Sequence, residues 1–311
     1  MDLLFSGYFI HMLSFILMYT ALATILHIQF GLTGIVNFGI AGFWGFGMYA
    51  CLLIVLNFNI PYFPAVILAS VLTGIISMLL GRIILNLEPS SVLVATLAFH
   101  LIVEFLIISE KWLTGGVLGG GPVGFPFDLG RYNYIAWFLL IFLLTAILMF
   151  YAGRLGAAPY GRLLIGIQDN EPLAQSLGKP TFRQKTIIFT FTSALAGLFG
   201  AITVPLYTYL FPKFMGPELT FTIWIALILG SQKRLFGGLV GILVTIGFFD
   251  IIVEALIPIP VQYVILVASL KYVVYGLTLM LVLMFRPSGI LGTRDRSGFF
   301  KNTGKLEKKE G

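Results

Sequence analysis

The sequence is short of charge: only 10% of its 311 residues are Asp, Glu, Lys or Arg. Soluble domains carry about 25% charged residues. Between Leu3 and Gly81 there is no charged side chain at all, while 59% of the whole chain is hydrophobic. This composition excludes a water-soluble core and predicts a protein that folds in a lipid bilayer.

Several chemical signatures are also missing. The single cysteine, Cys51, excludes a disulfide within the chain, and no Cys/His cluster indicates a metal site. The chain has no phosphate-binding G-x-x-x-x-G-K-[ST] loop, nucleophile elbow or H-E-x-x-H motif. We therefore expect no enzyme, no bound metal and no bound cofactor. Any ATP that energises this protein must be hydrolysed by another chain.

The apolar runs are continuous and long enough for transmembrane helices of about 20 residues each. We expect an all-α polytopic membrane protein with eight to ten such helices, nine being the best estimate. A single transmembrane domain would occupy 1–292, followed by a polar cytoplasmic tail at 293–311. The predicted spans are 8–26, 32–56, 63–85, 90–109, 133–153, 185–207, 219–231, 236–257 and 263–285.

Lysine and arginine mark the cytoplasmic loops of membrane proteins. If the loop at 154–184 is cytoplasmic, fifteen of the nineteen basic residues lie inside and four lie outside or close to it. We therefore predict a multi-pass protein of a bacterial or archaeal plasma membrane, with its N-terminus outside and its C-terminus in the cytoplasm. This orientation explains the net charge of +6 without a nucleic-acid partner, and the basic tail is expected to contact membrane lipid.

The stretch 161–178 is a polar island between two apolar spans. Asp169 or Asn170 is suited to cap the start of a short helix. Gly178 is suited to end it, and Pro180 prevents its continuation. We therefore predict a short, capped amphipathic helix in the cytoplasm.

Two other glycine-rich stretches leave alternatives open. In the second span, glycines surround Asn37, which indicates either close helix packing or an unwound segment that lines a transport path. The connection at 110–132 contains Thr114-Gly-Gly-Val-Leu-Gly-Gly-Gly-Pro122. This glycine-rich stretch is expected to be too flexible for a helix. It is either a solvated outer loop or a lid and partner surface.

Ionisable residues inside spans are costly and are candidates for function. His100 and Glu104 are four residues apart in one predicted helix, as are Asp250 and Glu254 in another, and Lys271 lies in the last apolar run. They form either a structural lysine–carboxylate pairing or a proton or cation relay. The second interpretation would make the protein an ion-coupled secondary transporter.

Five motifs in order give the chain a family resemblance. They are Gly34-Ile-Val-Asn-Phe-Gly39, Thr96-Leu97 with Thr114-Gly115-Gly116, Asp169-Asn170-Glu171 with Ala174 and Gly178, Pro217-Glu218, and Phe285-Arg286-Pro287-Ser288-Gly289. With them the chain resembles the permease subunits of branched-chain amino acid type ABC importers. It departs from that pattern at Gln168, where a basic residue is common, and at His100-Leu101, where a glycine and a glutamate are common.

The resemblance implies the ABC importer permease fold and roles for three groups of residues. The ATPase-coupling helix would include Asp169, Asn170, Glu171, Ala174 and Gly178. The candidate translocation path is Asn37, Gly39, Gly42, Thr96 and His100. The candidate intramembrane charge cluster is Glu104, Asp250, Glu254 and Lys271.

The resemblance also implies partners. These are a second homologous permease subunit, forming a heterodimer, two ABC ATPase subunits that use ATP, and an extracytoplasmic substrate-binding protein. The implied substrates are branched-chain or other hydrophobic amino acids. The alternative substrates within the same family are urea, amides or other small polar solutes.

Overall fold

The computed structural model of the protein describes residues 7–127, 129–207, 209–247, 264–285 and 288–292. Within these ranges the fold is all-helical, as predicted, and the extended backbone amounts to an isolated bridge between Gly120 and Leu210. The helices are α1 Gly7–Leu26, α2 Ile40–Phe58, α3 Tyr62–Ile84, α4 Pro89–Ser109, α5 Lys111–Thr114, α6 Asn133–Ala157, α7 Pro159–Asp169, α8 Glu171–Ser176, α9 Thr181–Thr203, α10 Pro217–Gly230, α11 Gly237–Ile242 and α12 Val264–Phe285.

Seven helices of the described residues are long and apolar enough to cross a membrane, and two shorter apolar helical stretches follow, Gly237–Gly247 and, within α12, Val273–Val282. In order along the chain, these nine segments correspond to the nine predicted spans. The predicted eighth span, 236–257, extends beyond the described residues at its C-terminal end. The polytopic helical fold is therefore confirmed.

Helices α1, α2 and α9 form the centre of the bundle. In their apolar windows 56% to 67% of the residues are buried, against 28% to 33% in α3, α4 and α6. The outer helices present large apolar side chains outward, such as Ile67, Phe105 and Phe150, which are more than half exposed. Because exposed apolar surface of this extent is unfavourable in water, these faces suit contact with lipid or with other membrane helices.

Small residues allow the central helices to approach closely. A Cβ atom added to Gly47 of α2 would overlap the backbone of Gly197 in α9, and one added to Gly200 would overlap the backbone at Trp44. Glycine lets helix backbones touch in this way, and close contact replaces the hydrophobic effect as the source of stability inside a membrane. These contacts between α2 and α9 confirm the close-packing interpretation of the glycine-rich second span.

The same span is also unwound, which the sequence had left as an alternative. Helix α1 continues into a π-helix at His27–Leu32, which ends at its C-cap Thr33, and the chain from 34 to 39 is non-helical before α2 begins at Ile40. The predicted boundary between the first two spans was therefore wrong, because His27–Leu32 is helical and residues 34–39 of the predicted 32–56 span are not. We refer to residues 34–39 as the helix break.

Candidate functional site

The polar island folds into two helices, α7 and α8, which meet at Asn170. The side chain of Asn170 accepts a hydrogen bond from the backbone N–H of Leu173 at 3.0 Å and so caps α8. Pro172 lies in the first turn, where its missing N–H costs little. The predicted helix start is confirmed, but the helix that it begins has only six residues.

The end of α8 is fixed by its backbone. Gly178 has a φ of +73°, its N–H donates to the carbonyl of Gln175 at 2.9 Å, and the N–H of Lys179 donates to the carbonyl of Ala174 at 3.1 Å. These two bonds form a Schellman motif, in which a glycine in the left-handed conformation closes the helix. Helix α9 starts directly afterwards at Thr181, so the predicted roles of Gly178 and Pro180 in ending α8 are confirmed.

Side chains hold α8 firmly against α9. Lys185 forms an ion pair with Glu171, and Gln175 Nε2 donates to Thr181 Oγ1 at 3.0 Å. Ala174 is the buried position of α8, with 8% of its surface exposed. These contacts join α8 to the first turns of α9, the span that follows it.

Two large apolar side chains are exposed on α8 and its C-cap. Leu173 is 56% exposed and Leu177 is 70% exposed. Docking was predicted for Asp169, Asn170, Glu171, Ala174 and Gly178, and these two leucines were not among the predicted residues. In the described structure Ala174 is buried, Glu171 is paired with Lys185 and Asn170 caps the helix, so these three side chains already have intramolecular contacts. Exposed leucines in a polar loop were the signal that would have found the outward face.

Helix α7 is anchored more deeply than α8. Leu164 and Ile167 are buried, and the Tyr160 hydroxyl donates to Gln184 Oε1 at 2.8 Å. Burial, with a smaller contribution from nearby Tyr151, raises the pKa of Tyr160, which keeps this hydroxyl a donor. The loop predicted at 154–184 thus contains two helices, α7 and α8, and both are bonded to α9.

The candidate path residues come together where the helix break meets α4. Gly39 lies against the backbone of Thr96, and Gly42 lies against His100, since added Cβ atoms would be 2.5 Å from the Thr96 carbonyl oxygen and 2.8 Å from the His100 Cα atom. Together with Asn37, all these residues are buried within the chain. The sequence had correctly grouped them, and their role as a path lining stays a prediction.

Asn37 is the centre of a buried polar network. Its Nδ2 donates to Gln29 Oε1 at 2.9 Å, and its Oδ1 accepts from the N–H of Gly39 at 2.8 Å. Gln29 Nε2 in turn donates to Thr192 Oγ1 at 2.7 Å, and the Trp224 indole donates to the Asn37 carbonyl at 3.0 Å. The sequence analysis missed Gln29 and Trp224. An amide at position 29 within a charge-free run was the available signal.

His100 and Glu104, four residues apart on α4, differ in burial and in their interactions. His100 is fully buried, and its Nε2 lies 2.5 Å from the Met215 carbonyl, to which it donates. Glu104 is only partly buried and interacts electrostatically with Glu218 at the start of α10. Glu218 had been identified only as part of a motif.

The remaining members of the predicted charge cluster cannot be placed against Glu104. Asp250 and Glu254 lie outside the described residues, as does the side chain of Lys271, whose backbone belongs to α12. A lysine–carboxylate pairing therefore stays a prediction. Within the described residues no group of three or more His, Cys, Asp or Glu side chains could hold a metal ion.

The connection between α4 and α6 is more ordered than predicted. Helix α5 ends at Thr114, and the glycine-rich stretch that follows, up to Pro122, contains a 3₁₀ turn at Gly116–Leu118 and no α-helix. The lack of an α-helix in this stretch agrees with the prediction, whereas the turn was not predicted. Gly120 and Leu210 exchange two backbone hydrogen bonds of 2.9 and 3.1 Å, which tie the connection to the segment before α10. Its tip exposes Trp112 and Leu118, each 82% accessible.

Residues 8–283 match the protein family described as "Branched-chain amino acid transport system / permease component". The chain belongs to this permease family. The match includes α1, the helix break, both helices of the polar island and most of α12. A permease of this family with seven long apolar helices among its described residues is a multi-pass membrane protein.

Curated relatives of this permease have similar names. It is 25% identical over 244 residues to the high-affinity branched-chain amino acid transport system permease protein LivM of Salmonella typhimurium, and equally to LivM of Escherichia coli. Each alignment covers 70% of the chain, which spans 57% of the length of these two relatives. It is also 25% identical over 279 residues to a probable LivH permease of Methanocaldococcus jannaschii, covering 84% of both proteins.

Proposed function

We propose that this permease is the membrane subunit of an ATP-binding cassette importer for branched-chain or other hydrophobic amino acids. The observation that carries the proposal is the family match over residues 8–283, which spans a rigid, doubly capped helix that presents two exposed leucines. The names of the curated relatives support the substrate class. Urea, amides or other small polar solutes are the alternative substrates.

In this proposal α8 is the coupling helix and docks into a groove of a cytoplasmic ATPase. The chain has no phosphate-binding loop of its own, so ATP is hydrolysed by two partner subunits. A helix without caps would absorb the movement of the ATPase by fraying. Because α8 is capped at both ends and paired with α9 through Lys185 and Glu171, it passes the movement to the membrane helices.

The permease pairs with a second, homologous permease, and the substrate passes between the two. Methanocaldococcus jannaschii has a LivH and a LivM protein that both match this chain, which supports pairing between related subunits. An extracytoplasmic binding protein delivers the substrate to the outer face. The loops rich in Lys and Arg, including the one with α7 and α8, lie in the cytoplasm.

The proposal is tested by co-expressing the permease with a second permease, the ATPase subunits and the binding protein of one organism. The purified complex is placed in vesicles, and uptake of labelled leucine, valine and urea is measured with and without ATP. We expect ATP-dependent leucine or valine uptake that needs the binding protein. Uptake by the permease alone, driven by an ion gradient without ATP, would contradict the proposal and favour a secondary transporter.

A further inference from the structure

The last turn of α7 is bonded directly to the end of α1. Gln168 Nε2 donates a hydrogen bond of 2.9 Å to the backbone carbonyl of Phe30. The same carbonyl accepts the N–H of Gly34 at 3.1 Å, at the point where the helix stops. Phe30 lies in the π-helix His27–Leu32 that continues α1. Its carbonyl already accepts the backbone N–H groups of Thr33 and Gly34, so the Gln168 amide adds a bond that joins α7 to this turn.

Helix α7 and the helix break are also in close van der Waals contact. Gly34 has a φ of +71°, a left-handed conformation that glycine adopts readily and that residues with a Cβ atom rarely adopt. A Cβ atom at Gly34 would lie 3.3 Å from Gln168 Cγ, which is tighter than an ordinary van der Waals contact. The turn at Gly34 therefore packs directly against the stem of the glutamine that donates to Phe30.

The position of α7 allows it to transmit a displacement of α8 to the helix break. Leu164 and Ile167 bury one of its faces, and it is followed immediately by Asn170, the cap of α8. A displacement of α8 therefore moves the end of α7 that carries Gln168. The Gln168 side chain is bonded to Phe30 at its tip and packs against Gly34 along its stem. That displacement therefore reaches Phe30 and Gly34 without an intervening flexible segment.

The helix break passes the displacement onward through its own bonds. Gln29, next to Phe30, accepts from Asn37, and the N–H of Phe38 donates to Thr96 Oγ1 at 3.0 Å. Hydrogen bonds, joined by the peptide links Gln29–Phe30 and Asn37–Phe38, therefore connect α7 through the break to α4. Non-helical residues between two helices absorb changes in φ and ψ more easily than the helices do, so the break is the place where a pull from α7 changes the angle between α1 and α2.

We propose that Gln168 is a positioning residue that couples the movement of α8 to the helix break at residues 34–39. This inference rests on the proposed function, because it assumes that an ATPase moves α8. It adds that the movement reaches the candidate path residues Asn37, Gly39 and Thr96 through one side-chain hydrogen bond from outside the membrane spans.

The test compares two variants in the co-expressed complex. Gln168→Glu keeps the shape of the side chain but cannot donate when ionised, whereas Gln168→Lys keeps a donor. Losing one hydrogen bond of about 1.4 kcal/mol corresponds to a tenfold change. We therefore expect Gln168→Glu to lower the amount of amino acid transported per ATP about tenfold and Gln168→Lys to restore most of it. Basal ATPase activity and complex assembly should stay unchanged in both.

The matched control is Gln184→Glu, which adds the same charge at the contact between α7 and α9. Gln184 accepts a hydrogen bond from Tyr160 through Oε1, and a carboxylate accepts it equally well. We expect this variant to transport as the unmodified complex does. If Gln168→Glu also transports normally, or if Gln168→Lys is as defective as Gln168→Glu, Gln168 does not couple the two regions.

A second measurement does not depend on transport. Amide hydrogen exchange of the permease alone in detergent is compared between the unmodified chain and Gln168→Glu, with α2 as the internal reference. We expect faster exchange in residues 34–39 and no change in α2, and unchanged exchange in the break would overturn the bond to Phe30. An unmodified complex that shows no ATP-driven uptake would overturn the proposed function and the coupling role together, whereas normal uptake in Gln168→Glu would overturn the coupling role alone.

Discussion

The amide of Asn37 satisfies two partners that are far from water. It donates to Gln29 and accepts from the N–H of Gly39, and both partners are buried. In a bilayer, backbone that leaves the helix must find hydrogen bonds within the protein. A single asparagine thus makes it possible for the glycine-rich segment to unwind.

The first prediction concerns this amide. Asn37→Ala leaves Gln29 Oε1 and the Gly39 N–H without their partner, and buried unsatisfied groups cost about 1–3 kcal/mol each. We expect a clear loss of thermal stability for the purified protein in detergent. Asn57→Ala, at an exposed position of α2, is the control and should change little. Equal melting temperatures for both variants would show that the network contributes nothing to stability.

Close packing at Gly47 makes a second prediction. An alanine methyl group at this position would overlap the backbone of Gly197, and overpacking in a core typically costs about 1–3 kcal/mol. We expect Gly47→Ala to lower the denaturation midpoint measured by loss of near-UV circular dichroism. The control is Gly166→Ala in α7, where an added Cβ atom meets nothing within 4 Å and the alanine favours the helix. A Gly47→Ala protein as stable as the control would contradict the packing.

At the level of elements, α8 owes its rigidity to its ends and not to its length. Six residues are too few for a stable isolated helix, so the Asn170 cap, the Schellman motif at Gly178 and the contacts with α9 hold it together. Its free side is therefore available for docking without loss of structure.

The exposed leucines of α8 provide the third prediction. Leu173→Asp replaces apolar surface that docking would bury by a charge, and burying a leucine is worth about 1.5–3 kcal/mol. We expect at least about tenfold weaker binding of the ATPase subunits, measured by interferometry on the detergent-solubilised permease pair. The control is Leu87→Asp in the half-exposed turn between α3 and α4, which lies on the same side in the predicted topology. Equal losses in both variants would mean that the effect is not specific to α8.

The ion pair between Glu171 and Lys185 supports a fourth prediction. Glu171→Lys places two cations together and should detach α8 from α9, so we expect loss of ATP-driven uptake with normal membrane insertion. Adding Lys185→Glu reverses the pair and should restore most of the uptake, because the bond is intramolecular. If the double variant remains inactive, Glu171 contacts the ATPase itself, as the sequence had suggested.

For the whole molecule, the bundle separates a closely packed centre from a periphery with exposed apolar faces. Helices α2 and α9 carry close glycine contacts, and α3, α4 and α6 carry the exposed apolar faces. The break and the polar network lie in the centre. A change there therefore alters the relative angles of helices that the whole bundle packs against.

The orientation of the whole protein gives the fifth prediction. With the native thiol removed by Cys51→Ala, Ser176→Cys in α8 should react with a membrane-impermeant maleimide only from the cytoplasmic side. Trp112→Cys, at the exposed tip of the 110–132 connection, should react only from outside. Labelling from the opposite sides would invert the topology and contradict the placement of α8 next to an ATPase.

Local patterns in the sequence were enough to predict the order of the apolar helices among the described residues and the two ends of α8. Apolar runs of membrane length and capping residues such as Asn170 and Gly178 act locally, so that their effect can be read from neighbouring residues. Gly39 and Thr96 belong to motifs of the family resemblance, whereas Gly42 and His100 were grouped with them without a motif match.

Only the tertiary structure decided that residues 34–39 unwind, that Leu173 and Leu177 point outward while Ala174 is buried, and that Gln168 bonds to Phe30. Each of these depends on partners distant in the chain: Asn37 needs Trp224, Ala174 faces α9, and Gln168 is 138 residues from its acceptor. Helical periodicity identifies a face without saying what covers it. The hydrogen bonds that join α7 to the break exist only because the packed helices bring their ends together.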